Sequence, residues 1–478
     1  MTEIAGILKL HSKYQYGTNK KGIEYFLFTS INPDIKEQFL VASSLKKKYS
    51  ENIYVTVAIL NKPLKKFEKY RYAMLKRIIG NVSDVDNKYE ILFHKYCFNI
   101  KKQPTKKIET IYQRKDLTIY RTISIDPYGS RDIDDALSII DEDTVLIHIA
   151  DPTSLIDIKN PFRYSTIYNH RVINMYNDQI GYDIGSLIKG VSRYAITFEY
   201  KISTNSINSS FLSDVIVDEN YSYENESDDI VQLKSCFSID DTHQIIEKLM
   251  VAVNNYTGSK LVTFGVGIFR NYHIKDINAF IDDEDLLKIL TIVKGNSAEY
   301  SLQPQKHDFL KIENYCHFTS PLRRYVDSIN HLLWKKYEYG IESVVESAIE
   351  SVNIPVINSE LIENINLFEK KHRRLTRDIN RLRIQQLIGD EIISTSAVVI
   401  DFYDKEKHKI TIYIEKFKIL ASAYLVEKEF LSLYDIIYDD SYVTLLNKTT
   451  NMKHGFVLYD YIFVNLYNKS NKLIIEIP

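Results

Sequence analysis

Cysteine is scarce in this sequence, which has three in 478 residues: Cys97, Cys236 and Cys316. They lie far apart, and none belongs to a CxxC pair. This spacing argues against a disulfide framework and against a cysteine-rich zinc site, and it is typical of a reducing compartment. We therefore expect a cytoplasmic protein, with the nucleus as the alternative.

Long apolar runs are also absent. No stretch reaches the roughly 18 consecutive apolar residues that a membrane span needs, and the first thirty residues contain no basic segment followed by an apolar one. We expect neither secretion nor a membrane partner. The length predicts two to four domains, and the 45% hydrophobic and 26% charged content is typical of globular proteins.

The net charge is only −2, but the charges are segregated. Residues 1–118 hold 23 lysines and arginines against 11 acidic residues, and a second basic block follows helical spacing. Its members are Lys370, Lys371, Arg373, Arg374, Arg377, Arg381 and Arg383. Such segregation can steer a polyanion, although a solvated charged face is the alternative interpretation.

Both ends of the chain are predicted to be β-rich. Ile4–Leu10, Glu24–Thr29 and Ile53–Leu60 indicate a small barrel over residues 1–62, and residues 63–114 are interpreted as a second, partly degenerate barrel with a linker. Five strands are predicted beyond residue 392: Thr395–Ile400, Lys409–Ile414, Tyr442–Leu446, Tyr461–Leu466 and Lys472–Ile477. They favour an OB-type barrel over residues 392–478, a fold that often binds single-stranded nucleic acid.

Residues 115–391 are predicted to form one mixed α/β domain. Tyr120–Ile125, Val145–Ala150 and Tyr194–Ile202 indicate strands. Two apolar series at helical spacing indicate helices: Ile245, Ile246, Leu249, Met250 and Val253, and then Leu286, Leu287, Leu290 and Val293. The acidic stretch Asp218–Asp229 is interpreted as an exposed loop.

Four carboxylates fall within ten residues at the end of a predicted strand: Asp126, Asp132, Asp134 and Asp135. Such a cluster is repulsive unless cations neutralise it, and oxygen ligands select hard ions such as magnesium or manganese. A solvated acidic loop is the alternative. Apolar neighbours on both sides, including Ile125 and Ile133, favour acids held inside the fold.

A second motif is His317-Phe318-Thr319-Ser320-Pro321-Leu322-Arg323-Arg324-Tyr325. Ser320 is a favoured helix N-cap and Pro321 a favoured first helical residue. This pattern predicts that Arg323 and Arg324 lie in the first turn of a helix, where the helix dipole disfavours cations. An arginine at that position is either a tolerated surface residue or a group that holds an anion such as phosphate.

Together the two motifs resemble the signatures of the ribonuclease II (RNB) family, which includes ribonuclease R and the exosome catalytic subunit. The matching segments here are SIDPYGSRDIDDA and HFTSPLRRYVD, with further matches at residues 149–153, 186–187, 193–195 and 250–254. The resemblance implies a multidomain α+β protein. It would have cold-shock-like barrels first, then the catalytic domain, and an OB-type RNA-binding barrel last.

The resemblance also implies site residues. The four aspartates would hold magnesium, or manganese, and Arg323 would hold the scissile phosphate with support from Arg324. Tyr168 falls where the family places an aromatic residue that stacks on the terminal base, although a core tyrosine is the alternative. His317 is expected to be structural.

The implied function is processive hydrolysis of single-stranded RNA from its 3′ end, releasing nucleoside 5′-monophosphates by metal-ion catalysis. We expect a monomer. Two alternatives remain: a catalytically silent RNA-binding protein on the same fold, and a metal nuclease that acts on DNA.

Overall fold

The computed structural model describes residues 3–60, 69–96, 98, 113–158, 161, 163–273, 289, 298–339, 355–404, 408–426, 429–439, 441–469 and 472–477. The chain divides into two compact units. One comprises Met1–Phe98, Asp276–Lys294 and Lys371–Pro478, and the other comprises Asn99–Lys275 and Gly295–Lys370. The helix predicted from Leu286, Leu287, Leu290 and Val293 lies outside the described residues.

The first part of the chain forms one closed five-stranded barrel. Its strands are β1 (Glu3–Lys9), β2 (Tyr25–Ser30), β3 (Gln38–Ala42), β4 (Ile53–Ile59) and β5 (Arg71–Asn81), in the order β1-β2-β3-β5-β4. Alternate side chains of β1, such as Ile4 and Leu8, enter the barrel core. The sequence predicted β1, β2 and β4 but missed β3 and β5.

The second leading barrel is a wrong prediction for the residues that the structure describes. The stretch assigned to it supplies β5, the last strand of the first barrel, and then helix α1 (Val85–Lys95). Asp84 caps this helix by accepting a hydrogen bond from the Asn87 backbone N–H at 3.2 Å. An acidic N-cap followed by buried Tyr89, Ile91 and Phe93 stabilises a helix where strand propensity alone suggested a sheet.

The catalytic-domain prediction corresponds to a seven-stranded mixed sheet with the order β14-β7-β8-β9-β12-β13-β6. Its strands, in chain order, are β6 (Lys115–Asp116), β7 (Ile123–Asp126), β8 (Asp135–Ile139), β9 (Thr144–Ala150), β12 (Ser192–Lys201), β13 (Ser206–Ile216) and β14 (Glu219–Ser222). Two small two-stranded sheets accompany it: β10 (Ile167–Tyr168) with β11 (Val172–Ile173), and β15 (Phe269–Asn271) with β16 (Glu299–Ser301).

Within the described ranges, four helices follow the sheet: α2 (Asp228–Phe237), α3 (Thr242–Thr263), α4 (Tyr325–Glu338) and α5 (Ser359–Ile388). The prediction of α3 from its apolar spacing is confirmed. Helix α4 is buried continuously from Tyr325 to Lys335, with Trp334 fully buried. Side chains of α2, α3, α4 and the sheet share one hydrophobic core, which fixes the sheet ends that carry the acidic motif.

The predicted exposed loop at Asp218–Asp229 is confirmed only for residues 223–227, and regular structure on both sides makes the rest of the prediction wrong. Residues Glu219–Ser222 form β14, which pairs in parallel with β7 so that Ser222 lies opposite Asp126. Asp229 lies in the first turn of α2 and pairs with Arg121 through Nη2 at 2.6 Å. Acidic composition predicted a solvated loop, but a parallel partner strand and an arginine some hundred residues away hold this segment in the fold.

The last part of the chain forms a second closed barrel with the order β17-β18-β19-β24-β23. A separate three-stranded sheet, β20-β21-β22, is inserted between β19 and β23. The bounds are β17 (Ile393–Asp404), β18 (Lys409–Ile414), β19 (Ile419–Tyr424), β20 (Tyr434–Tyr438), β21 (Tyr442–Asn447), β22 (Lys453–Val457), β23 (Tyr461–Lys469) and β24 (Lys472–Glu476). All five predicted strands exist, but the one at Tyr442 belongs to the inserted sheet. In the described part of the chain, no helix is long and apolar enough to cross a membrane.

Candidate active site

The acidic motif lies at the end of the hairpin formed by β7 and β8. The two strands are antiparallel, with Ile123 opposite Leu137, so Asp126 at the end of β7 and Asp135 at the start of β8 lie close in space. Alternation along the strands sends Ile123, Ile125 and Leu137 into the hydrophobic core. The carboxylates are therefore anchored on buried strands.

The connecting loop, which carries the other two acids, is also held in place. Gly129 has a φ of +84°, a conformation that favours glycine. The Ser186 hydroxyl accepts a hydrogen bond from the Ile133 backbone N–H at 2.8 Å and donates one to the Arg131 carbonyl at 3.0 Å. Ser186 therefore holds the loop that carries the acids. This gives a physical reason for its place among the matching segments of the sequence.

All seven residues predicted for the site line one cavity of about 710 Å³. They are Asp126, Asp132, Asp134, Asp135, Tyr168, Arg323 and Arg324. The cavity lies within one compact unit, although about 190 residues separate the acids from the arginines. The fold thus brings the two sequence motifs together.

The arginines do not lie in the first turn of a helix, so that prediction is wrong. Helix α4 begins at Tyr325, and Arg324 is its N-cap residue in an extended conformation. Backbone pairing explains the late start: the Thr166 N–H donates to the Arg323 carbonyl at 2.9 Å, and the Tyr325 N–H donates to the Tyr164 carbonyl at 3.0 Å. The Ser-Pro pair begins a turn here, which the same residue preferences also allow.

Arg323 contacts the acids directly. Its Nε donates to Asp134 Oδ2 at 2.9 Å, and the Leu322 backbone N–H donates to Asp134 Oδ1, also at 2.9 Å. The Arg323 side chain is still 45% exposed, whereas that of Asp134 is 3% exposed. Arg323 is therefore anchored at one edge and open to the cavity at the other.

Arg324 is held by a different carboxylate. Its Nη2 donates to Asp327 Oδ1 at 2.8 Å, and Asp327 is fully buried. The same Asp327 oxygen accepts the Ser320 backbone N–H at 2.8 Å. Arg324 thus fixes the turn that presents Arg323.

Three of the four acids have raised pKa values. Burial raises the pKa of Asp126 to about 6 and that of Asp134 to about 7. Burial, together with the charges of Asp126 and Asp134, raises the pKa of Asp135 well above its ordinary value. The site thus holds more negative charge than Arg323 alone neutralises, and such a site favours an additional cation.

The donor set fits a hard divalent cation. Among the residues that the structure describes, no three acidic, histidine or cysteine side chains are already close enough together to hold a metal ion. However, Asp126 Oδ2 is buried and accepts no hydrogen bond, and three further carboxylates, those of Asp132, Asp134 and Asp135, line the same cavity. Unpaired oxygen donors of this type match magnesium or manganese, and Asp126, Asp132, Asp134 and Asp135 would hold the ion.

Tyr168 lies at the end of β10, and its hydroxyl donates a hydrogen bond to Asp132 Oδ2. Burial and the Asp132 charge both raise the pKa of this phenol, so it remains a hydrogen-bond donor. The residue is 43% exposed. Tyr168 is therefore not an ordinary core tyrosine, because it contacts the acid cluster and keeps part of its ring accessible.

Several cavity residues escaped the sequence prediction. They are Tyr223, His243, Ile246, Glu247, Met250, Asn254 and Tyr315, among others. His243, Glu247, Met250 and Asn254 recur at intervals of three or four on α3, so a search for polar residues at helical spacing could have found this wall. Asn254 also anchors the second motif by accepting the Phe318 backbone N–H at 2.8 Å.

His317 does not line the cavity, in agreement with a structural role. Its Nδ1 pairs with the Tyr300 hydroxyl at 2.8 Å. Burial, followed by the nearby Arg324 and Arg270 charges, lowers its pKa well below the ordinary value. A neutral, hydrogen-bonded imidazole of this type supports packing.

Comparison with known proteins agrees with this geometry. Residues 114–235 and 214–340 match the family profile of the RNB domain. Ribonuclease R of Chlamydia pneumoniae is 24% identical over 47% of this chain and 48% of its own length. Ribonuclease R of Mycoplasma genitalium is 23% identical over 46% of this chain and 45% of its own length. The chain thus spans less than half of either of these relatives.

Solved structures show a similar fold. Mycoplasma genitalium RNase R in complex with ribose methylated single-stranded RNA superposes with a TM-score of 0.65 at 15% identity, over 99% of this chain and 100% of that one. Yeast Ssd1, described as a pseudonuclease, superposes with a TM-score of 0.71 at 14% identity, over 100% of this chain and 83% of that one. Identities this low establish the fold alone.

Proposed function

Because the chain carries an RNB domain over residues 114–340 and is similar to ribonuclease R, we propose that it is a hydrolytic 3′-to-5′ exoribonuclease. The proposed substrate is single-stranded RNA, and the products are nucleoside 5′-monophosphates released processively. One observation carries the proposal: four carboxylates and an accessible arginine line the same cavity. A phosphodiester needs both features, oxygen ligands for a cation and a fixed positive charge for the phosphate.

The chemistry of the residues supports hydrolysis. Magnesium or manganese held by the four aspartates would supply Lewis acidity toward the phosphate and lower the pKa of an attacking water. Arg323 contributes the positive charge that binds a non-bridging phosphate oxygen and stabilises the charge that develops there. Water adds to phosphorus, the bond to the 3′ oxygen of the preceding nucleotide breaks, and that oxygen leaves as a hydroxyl.

The walls of the cavity support selection of a single strand. A volume of about 710 Å³ accommodates a terminal nucleotide and its neighbour but not a stacked duplex. The exposed part of the Tyr168 ring is available to stack on the terminal base. Discrimination against DNA would come from polar side chains that read the 2′-hydroxyl, and the α3 wall carries several such groups.

The two closed barrels are proposed as the RNA-gathering parts of the molecule, the first cold-shock-like and the last OB-type. Small barrels of these kinds commonly hold single strands through phosphate contacts and stacking. Affinity for RNA should therefore fall as salt concentration rises. We propose that the protein acts as a monomer.

The direct test is Asp134→Asn, because this acid is one of the four proposed metal ligands and also bonds Arg323. Wild-type protein with magnesium should shorten a 5′-labelled RNA one nucleotide at a time, and chelation should stop it. The variant should lose at least about 10³-fold in turnover while RNA binding persists. Asp34→Asn, which removes an exposed acid elsewhere, should behave like the wild type.

The same assay separates the alternatives. A catalytically silent RNA-binding protein, which the similarity to the pseudonuclease fold makes relevant, would bind RNA without shortening it in either form. A DNA-directed enzyme would degrade a DNA strand of equal sequence faster than RNA. Degradation of RNA by Asp134→Asn at the wild-type rate would refute the proposed active site.

A further inference from the structure

A second cavity, of about 290 Å³, lies within the unit that contains the barrels. Its apolar wall includes Ile31, Tyr54, Ile91 and Leu382, and Lys88 and Lys95 supply positive charge. The volume lies just below the roughly 300–1,000 Å³ typical of pockets for drug-sized ligands. A cavity of this size and character suits one planar aromatic group with polar edges.

Hydrogen bonds between α1 and the end of α5 hold this cavity open. Lys95 Nζ pairs with Asp378 Oδ2 at 2.6 Å, and the Tyr96 hydroxyl donates to the same oxygen at 2.8 Å. The Tyr89 hydroxyl donates to Gln386 Oε1 at 2.7 Å. Because these contacts join two helices across the cavity, a ligand would meet a preformed site.

A row of arginines borders the cavity. Arg374, Arg377 and Arg381 are exposed and lie on one side of α5, separated by rises of about 4.5 and 6 Å along the helix. None of them forms an ion pair within the described part of the chain. The acid between them, Asp378, is already bonded to Lys95 and Tyr96.

Helical geometry places this row beside the cavity. Asp378 and Leu382 are one turn apart on α5 and both line the cavity. Arg374 lies one turn before Asp378, and Arg381 lies one turn before Gln385, which also lines the cavity, so their guanidinium groups start from positions next to its rim. An apolar slot next to uncompensated forked cations has the chemistry that a nucleotide needs, a place for the base and donors for the phosphates.

We propose that this cavity and the arginine row form a second RNA-binding site. One base of a single strand occupies the cavity, and the adjoining backbone phosphates bind Arg374, Arg377 and Arg381. RNA fits better than an acidic protein segment, because a planar base covers the apolar wall formed by Ile31, Ile91 and Leu382, whereas an acidic side chain would use only the lysines at its edge. The proposal rests on the proposed function for the choice of RNA as the polyanion.

The test measures RNA binding in the Asp134→Asn protein, so that the RNA is not degraded. Fluorescence anisotropy with a labelled 20-nucleotide single strand, repeated across a series of KCl concentrations, gives both affinity and its salt slope. Replacing the three arginines by glutamine should weaken binding roughly tenfold and lower the slope by about 2, since each single-strand phosphate contact contributes about 0.7.

The matched control removes the same amount of charge from cations that are already paired. Arg121, Lys189 and Lys234 are bonded to Asp229, Glu219 and Glu226 respectively. Changing all three to glutamine should leave both affinity and slope nearly unchanged. An equal loss in this control would show a general effect of net charge and overturn the proposed site.

Filling the cavity tests the base-binding half separately. Leu382→Trp should weaken binding roughly tenfold through loss of base contacts, while the salt slope stays at the parental value because no phosphate contact is lost. An unchanged affinity would overturn the base pocket, and stronger binding to an acidic polypeptide than to RNA would overturn the choice of partner. Absence of cleavage by the wild type, with these binding losses intact, would remove the nuclease function but not this site.

Discussion

Buried aspartates occur in two contrasting settings within the same compact unit. Asp151 is 1% exposed, and both of its oxygens are engaged: Oδ1 with Lys335 at 2.8 Å and Oδ2 with Arg114 at 2.7 Å. Asp126, by comparison, has a buried oxygen without any partner. Both acids lie at strand ends of one sheet and match the same family pattern.

The pKa values follow the difference in partners. Burial alone would raise the pKa of Asp151, but Lys335 and Arg114 hold it well below its ordinary value. Burial raises the pKa of Asp126 and Asp134, where Arg323 is the nearby cation. A buried acid that is already paired with cationic side chains stabilises the fold. A group of buried acids with too few cationic partners can instead bind an additional cation.

Removing Asp151 should cause the largest loss of stability. Asp151→Asn leaves Lys335, whose side chain is fully buried, without its counter-charge. We expect a loss of about 3–5 kcal/mol in the free energy of unfolding, since breaking one partner of a buried ion pair leaves the other uncompensated. Urea unfolding of the metal-free protein measures it.

For the acids that line the cavity, the comparison predicts a change of opposite sign in the free energy of unfolding. Asp135→Asn relieves repulsion with Asp126 and Asp134, so the metal-free variant should be at least as stable as the wild type. If Asp135→Asn destabilised the protein as much as Asp151→Asn, the distinction between the two settings would be wrong.

Replacing Arg323 should have the next largest effect, and on turnover rather than on folding. Arg323→Met removes the exposed guanidinium that faces the cavity, so kcat should fall about 10²–10³-fold, as for loss of one group that stabilises transition-state charge. Single-turnover cleavage of a short RNA measures it. Arg121→Met is the control, because that arginine pairs with Asp229 outside the cavity, and its rate should match the wild type.

The stability of the metal-free protein should depend on pH, because burial raises the pKa of Asp126 in the cavity. The pKa of Asp126 is about 6 when folded, above its ordinary value, so the folded state binds the extra proton. Its stabilising contribution, up to about 3 kcal/mol, is complete below pH 4 and is lost as pH rises through 6.

The measurement compares melting temperatures of wild type and Asp126→Asn between pH 4 and 8. As pH rises, the melting temperature of the variant should increase relative to that of the wild type. Saturating manganese should restore the stability of the wild type at high pH. Cleavage should follow the reverse trend and increase through pH 6–7 as the acids lose protons. A gap that stays constant with pH would contradict the raised pKa.

The sequence was most informative where residue chemistry and regular spacing coincide. Short runs of strand-forming residues located β1, β9 and β18, and four carboxylates within ten residues at the end of a predicted strand located the acid cluster. Both signals are local, because each lies within a single strand or turn of the chain.

Long-range contacts account for most of what the sequence did not reveal. The start of α4 is set by backbone pairing with Tyr164 and Thr166, and β14 forms because β7 lies beside it. The α3 wall of the cavity depends on how that helix packs on the sheet. None of these partners is near in sequence, so local propensity could not predict them.

The smallest expected effect is that of replacing Tyr168, and it would define what this residue does in the site. Its hydroxyl contacts Asp132, and its ring is partly exposed, so Tyr168→Phe separates the two features. Loss of one hydrogen bond to a charged group should change manganese affinity by about 10- to 100-fold, with base stacking retained.

Calorimetric titration of manganese and the length of the final RNA product give independent measurements. If the hydroxyl positions Asp132, Tyr168→Phe should alter metal affinity but leave product length unchanged, whereas Tyr168→Ala should alter both, because it also removes the ring on which a base can stack. Equal product lengths in the wild type and Tyr168→Ala would argue that the ring makes no contact with the terminal nucleotide. Tyr168 would then act only through the hydrogen bond from its hydroxyl to Asp132.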